Sequence, residues 1–194
     1  MFVILMAGYA GTGKTTAARM LAPMIDAAMP DKDSLTRPLA DELCRRITGD
    51  PDDRESAQYR EIVRPLEYAC LMRTLADTNS YGTSAVAAAP FTIEMRDPSW
   101  LSDLRGKLAE GTDLWTVWVH SDADTMRRRI TERAASRDRA KLADWPAYAA
   151  GLDLAPPKGI DLVLDNSREA TTSLPKQVRA LATRIATGRD PLDY

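Results

Sequence analysis

The chain has 194 residues, 44% of them hydrophobic and 28% charged, with a formal net charge of −2. That size suits one domain with a real core, and the near-neutral balance supplies no global field to draw in nucleic acid. No apolar run approaches the ~20 residues that a membrane helix needs. Two cysteines and one histidine cannot assemble a zinc site. Cys44 and Cys70 read as buried free thiols in a reducing, cytoplasmic setting, and the N-terminus lacks the pattern of a targeting peptide. Of the 26 Lys and Arg residues, 20 are Arg. Arg is the better planar ligand for phosphate, but a compositional bias explains the total equally well, so only local clusters carry functional weight.

Phe2 to Ala7 is a short continuous apolar run, the signature of a strand buried on both faces. It leads into Gly8-Tyr9-Ala10-Gly11-Thr12-Gly13-Lys14-Thr15, and a helix is expected over 14–22. A weaker second strand is expected around 24–29, followed by Asp31-Lys32-Asp33-Ser34. Helices at 36–48 and 55–77 are split by the turn-rich Gly49 to Asp53. Residues 84–89 form another buried strand candidate, stopped by Pro90, and 98–110 read as a helix. Leu114 to Val119 is the clearest strand, and an Arg-rich helix is expected over 122–137. Residues 138–159 look like a loop or lid, and 161–165 form the last strand. Leu174, Val178, Leu181 and Ile185 then keep helical spacing. Strands alternating with helices imply an α/β fold with a parallel sheet and helices on both faces. The Gly-rich loop, Asp33, Pro90-Phe91, His120-Ser121 and Asp165-Asn166 each follow a strand, so they should share the carboxyl rim where such sheets bind ligands.

The Gly-rich segment has the G-x-x-x-x-G-K-[ST] form, which is specific when it follows a strand and opens a helix. Gly8, Gly11 and Gly13 permit backbone angles that side chains resist. Successive N–H groups, including those of Thr12 and Thr16, can then face phosphate oxygens at a helix N-terminus. Lys14 should reach the β- and γ-phosphates of a nucleotide, and the Thr15 hydroxyl should hold Mg²⁺. A guanine-reading motif is absent, which favours ATP.

Nucleotide binding alone leaves kinase, motor and switch readings open. Asp33, on the rim, could orient an acceptor hydroxyl and take its proton. The alternative for this segment is capping of the next helix. Asp31 could act through Mg²⁺-bound water. Arg129, Arg133 and Arg137 would run along one side of a helix beside the apolar Met126, Ile130 and Ala134, so they could reach a transferring phosphoryl group; the alternative is a solvated face. Residues 38–81 and 90–100, with Arg45, Arg46, Tyr59, Arg60, Arg64, Glu67, Tyr68, Tyr81, Phe91, Glu94, Arg96 and Trp100, could line an acceptor site; the alternative is that they are ordinary residues of amphipathic helices.

At these motifs the chain resembles the small P-loop kinases grouped with chloramphenicol phosphotransferase, zeta-toxin-type kinases and the polynucleotide kinase domain. The matching pieces are Gly8 to Thr16, Asp31 to Ser34, Ala88 to Phe91, Arg129-x-x-x-Arg133-x-x-x-Arg137 and Asp161 to Ser167. The resemblance implies a P-loop fold with a five-stranded parallel sheet and a mobile Arg-bearing lid. It implies an ATP- and Mg²⁺-dependent kinase with Asp33 as base, Arg133 or Arg137 as lid cation, and Asp165-Asn166 near adenine. A single kinase domain would span 1–187, with a lid at about 127–158, substrate-side helices at about 38–81 and a tail at 188–194. The expected acceptor is a hydroxyl of a nucleoside or nucleotide, a sugar or an antibiotic. A polynucleotide 5′-hydroxyl or modified-base DNA kinase is the second reading, and a non-catalytic ATP-binding switch the third. Polynucleotide kinases commonly carry Arg three residues after the aspartate; here that position is Thr36 and the Arg is Arg37, which weakens the nucleic-acid reading. The protein is expected to work as a monomer or homodimer.

Overall fold

The apolar runs form strands β1 (Phe2–Ala7), β2 (Ala85–Ala88), β3 (Asp113–His120) and β4 (Leu162–Asp165). They make one parallel sheet in the order β2-β1-β3-β4. The computed structural model describes residues 1–188, so residues 189–194 of the expected tail lie outside the described residues. Helices α1 (Lys14–Leu21), α2 (Lys32–Thr48), α3 (Arg64–Ser80), α4 (Pro98–Arg105), α5 (Ala123–Arg133), α6 (Arg139–Ala143), α7 (Trp145–Ala150) and α8 (Leu174–Thr187) surround it.

Side chains alternate across each strand, so β1 serves two cores. Ile4 and Met6 pack with Ala17, Ala18 and Leu21 of α1 and Val178, Leu181 and Ile185 of α8. Val3, Leu5 and Ala7 pack with Leu71 and Leu75 of α3 and Leu101 and Leu104 of α4. Helices therefore cover both faces, as the unbroken apolar strands require.

Among the described residues the sheet has four strands, not five. The expected strand at 24–29 is a 3₁₀ turn, Ala22–Met24, followed by an extended segment that touches β2 only at Ala28 and Asp31. Ala28 exchanges backbone hydrogen bonds with Ser84 and Val86 at 2.8 Å, and Ala88 N–H donates to Pro30 at 3.2 Å. Pro30 has no N–H to return, so the ladder cannot run on.

Two helix boundaries differ from expectation with consequences for the site. Helix α2 begins at Lys32, not at 36, because Asp31 caps it: its Oδ1 accepts from Ser34 N–H at 2.9 Å. Helix α5 stops at Arg133, where Ala134 turns left-handed with φ 47°. Of the two free thiols, Cys44 is buried as expected but Cys70 is exposed.

Candidate active site

The Gly-rich loop joins β1 to α1 on the carboxyl rim of the sheet. Its glycines are needed for approach as well as angle. A Cβ on Gly11 would lie 2.7 Å from the Met126 carbonyl, and one on Gly13 would collide with Asn166 Nδ2. Gly13 also stands at the N-cap of α1 in left-handed geometry and supplies no side-chain cap, so the first N–H groups of the helix remain available to an anion. Lys14 Nζ donates to the Tyr9 carbonyl at 3.3 Å. Burial holds its pKa down to about 8, with Asp33 pulling it up and Arg133 pushing it down. Thr15 is half-buried in the first turn of α1, and Thr16 is exposed.

Asp33 lies in the first turn of α2, where burial raises its pKa but the neighbouring Lys32, Lys14 and Arg37 outweigh this and hold the carboxyl below its usual range. Lys32 Nζ stands 3.2 Å from Asp33 Oδ1. On Oδ2, Arg137 approaches to 2.7 Å and Arg37 to 3.8 Å. Asp31 Oδ1 receives both the N–H and the hydroxyl of Ser34 as the cap of α2.

The expected row of three arginines is broken, because α5 ends before Arg137. Arg129 lies behind the phosphate loop, where it donates to the carbonyls of Gly11 and Thr12 at 3.3 and 3.4 Å. Arg133 pairs with the buried Asp138 at 2.6 Å. Arg137, on a 3₁₀ turn at Ser136–Asp138, reaches Asp33. Two more ion pairs tie this segment to the loop after α2: Arg139 to Asp52 at 3.2 Å and Lys141 to Glu55 at 2.8 Å. Asn166 Nδ2 donates to the Thr12 carbonyl at 2.7 Å, so it braces the loop. Asp165 Oδ1 accepts from Ser167 N–H at 2.9 Å.

The profile of a family described as an AAA domain matches residues 3–155. The chain belongs to that family. No functionally curated protein matches this AAA domain in sequence. Among solved structures, it is similar to a candidate kinase from Chloroflexus aurantiacus, with a TM-score of 0.67, 18% identity and 97% of each chain covered. A gluconokinase from Sinorhizobium meliloti has a TM-score of 0.55 and 16% identity, with 96% of this chain and 93% of that one covered. The APS kinase of Mycobacterium tuberculosis, solved with AMPPNP and APS, has a TM-score of 0.53 and 17% identity, with 95% and 96% covered. These likenesses establish a P-loop α/β fold shared with small-molecule kinases.

A nucleotide phosphate chain fits the cradle of this AAA domain, with Lys14 and the open N-terminus of α1 supplying positive charge. No group of His, Cys, Asp and Glu among the described residues could hold a metal by itself. The Thr15 hydroxyl, in the first turn of α1 beside Lys14, is the group that could hold Mg²⁺ together with nucleotide phosphates. No helix among the described residues is long and apolar enough to cross a membrane.

The suspected acceptor wall of the AAA domain divides in two. Phe91 and Tyr68 are buried, and Tyr68 OH accepts the Phe91 N–H at 3.0 Å. Arg64 pairs with Glu94 at 2.8 Å and stacks on Tyr68 at 4.2 Å. Arg96 bonds Asp153 at 3.0 Å. By contrast, Arg45 and Arg46 pair with Glu42 on the outside of α2, and Tyr81 is 87% exposed. Sequence reasoning missed the burial of Lys32 and Glu67. A signal existed for Glu67: Val63 and Leu71 stand four residues to either side of it, so the three lie within about 80° of one helix face.

Proposed function

We propose that the chain is an ATP- and Mg²⁺-dependent kinase that transfers the γ-phosphoryl group to a hydroxyl of a small-molecule acceptor: a nucleoside or nucleotide, a sugar or an antibiotic. One observation carries this reading. Asp33 stands on the rim, two residues past the bridge of Asp31 to Ala88 at the carboxyl end of β2, with Arg137 on its Oδ2 at 2.7 Å. A switch that only binds and releases nucleotide has no need of a carboxylate there, whereas hydroxyl transfer does. The fold shared with a gluconokinase and an APS kinase supports a small acceptor.

In this reaction the acceptor hydroxyl donates to Asp33. Its oxygen forms a bond to the γ-phosphorus while the bond to the β–γ bridging oxygen breaks, and ADP leaves with that electron pair. The proton passes to Asp33 and then to solvent. A carboxyl held below its usual range orients the hydroxyl and accepts the proton late, which suits a loose transition state. Mg²⁺, when bound, would neutralise phosphate charge. Lys14 and Arg133 supply cations at the phosphoryl group, and Arg137 leaves Asp33 to join them. Residues 1–187 act as one kinase domain, with 127–158 as the lid and 38–81 as the acceptor side.

The test is ADP release against nucleosides, nucleotides, sugars, aminoglycoside and phenicol antibiotics and 5′-hydroxyl oligonucleotides, with Asp33→Asn and Lys14→Ala as controls. Acceptor-dependent release, lost in both variants, is expected. ATP binding without turnover on any acceptor, unchanged in Asp33→Asn, would move the protein to the switch class.

A further inference from the structure

Lys32 occupies a place that ordinary helix physics disfavours. It is the first residue of α2, where the helix dipole opposes a cation, and it is only 6% exposed. Taking an ammonium out of water is costly unless it is well paired. Its partner is Glu67 on α3, itself 3% exposed, with Nζ 2.6 Å from Oε1.

The Glu67 carboxylate is held from three directions. Besides Lys32, Thr36 donates to Oε1 at 3.0 Å, and Tyr59 OH donates to Oε2 at 2.6 Å. Tyr59 reaches it because Tyr59–Val63 is a π-helical turn running into α3. Eight residues of ideal α-helix would turn Tyr59 about 80° away from Glu67; one inserted residue makes the spacing equivalent to seven and brings both within about 20° of one face. A π turn inside a helix is an uncommon device, and here it completes the binding of one buried carboxylate.

Fixed in this way, Lys32 Nζ also meets Asp33 Oδ1 at 3.2 Å. The two sides of Asp33 then differ. Oδ1 faces a cation anchored in the interior. Oδ2 faces Arg137 and Arg37, whose side chains are 22% and 48% exposed. An incoming hydroxyl can displace these more accessible arginines but not Lys32.

We propose that Lys32 and Glu67 are a positioning pair that clamps Asp33 through Oδ1 and presents Oδ2 to the acceptor hydroxyl, with Thr36 and Tyr59 fixing Glu67. The inference rests on the role given to Asp33 above. Lys32 acts through Asp33 and does not touch the acceptor.

The test is a double-mutant cycle on the full chain, with Mg-ATP and the best acceptor of the panel. Lys32→Met alone leaves Glu67 buried without its cation, so Lys32→Met/Glu67→Gln removes both charges at similar volume and keeps the fold within reach. Thermal melting followed by circular dichroism confirms folding. In the native background the double change should lower kcat at least tenfold and leave KM for ATP within twofold, and Lys32→Arg should recover part of the loss. In the Asp33→Asn background, where single-turnover assays at high enzyme concentration read the residual transfer rate, the same change should cost nothing further, because its effect runs through Asp33. An equal loss of kcat in both backgrounds, or wild-type kcat in the double variant, overturns the positioning role and leaves the kinase reading standing. No acceptor-dependent turnover by the unaltered chain, or full turnover by Asp33→Asn, overturns the reading of Asp33 and this inference with it.

Discussion

Gly11→Ala isolates close approach from backbone angle, because Gly49 provides a matched control. Gly11 has φ +83° and Gly49 φ +82°, so alanine at either position is forced into left-handed geometry, costing roughly 1–2 kcal/mol. Their surroundings differ. A Cβ at Gly49 meets nothing within 4 Å, whereas one at Gly11 lies 2.7 Å from the Met126 carbonyl, 3.0 Å from Met126 Cα and 3.1 Å from Ile130 Cγ1. Two of these atoms are backbone of α5, which cannot rotate aside. Overpacking of this kind adds about 1–3 kcal/mol, so Gly11→Ala should cost about 2–5 kcal/mol in total. At about 2–4 °C per kcal/mol for a domain this size, Gly49→Ala should melt roughly 2–8 °C low and Gly11→Ala clearly lower. The collision also pushes the phosphate loop away from α5, so ATP affinity should fall at least tenfold in Gly11→Ala and stay unchanged in Gly49→Ala. Calorimetric melting and isothermal titration with Mg-ATP measure both. Equal melting temperatures for the two variants, with unchanged ATP affinity, would refute the packing account of the loop.

Other perturbations follow from the same geometry. Burial holds Lys14 down to about 8, and phosphate favours its charged form, so ATP binding at about pH 9 should take up a proton that is not taken up at about pH 6.5. Calorimetry in buffers of different ionisation enthalpy reads this uptake, and Lys14→Ala should abolish it. Without ligand, a lysine whose folded pKa lies below its unfolded value of ~10.4 makes the fold more stable as pH rises from about 8 toward that value. Asp122 is partly buried, which raises its pKa, but the N–H groups of Thr125 at 2.7 Å and Arg168 at 3.0 Å outweigh this and hold it at about 2. Its contribution is therefore complete above its unfolded pKa of ~3.9 and is lost as pH falls toward 2. Asp122→Ala should cost about 1–2 kcal/mol at neutral pH, and the difference from the unaltered chain should close as melting is followed down that window. Arg129→Met should weaken ATP binding by loosening the Gly11–Thr12 backbone, whereas Arg133→Met should lower kcat by about tenfold, ~1.4 kcal/mol of barrier, with ATP affinity within about twofold. Identical effects of the two changes on binding and turnover would contradict the separation of these arginines.

Much of this protein is written locally. Phe2 to Ala7 is apolar at every position, so it could only be a strand covered on both sides, and the glycines and Lys14 that follow demand a phosphate at a helix N-terminus. Hydrophobic period and turn chemistry act within a few residues, which is why β1, β3, the phosphate loop and the Leu174–Ile185 stripe of α8 were legible. The tertiary structure decided what depends on distant partners. Pro30 reduced the expected fifth strand to two bridges on β2. Ala134 ended α5 and separated Arg129, now braced on Gly11 and Thr12, from Arg137, now paired with Asp33. Asn166 was turned toward the back of Gly13. In the one-dimensional sequence Lys32 is one more cation in a polar segment and Glu67 one more helical acid. They are separated by 35 positions, and their 2.6 Å contact exists only because α2 packs against α3, which excludes water and leaves each as the other's counter-charge.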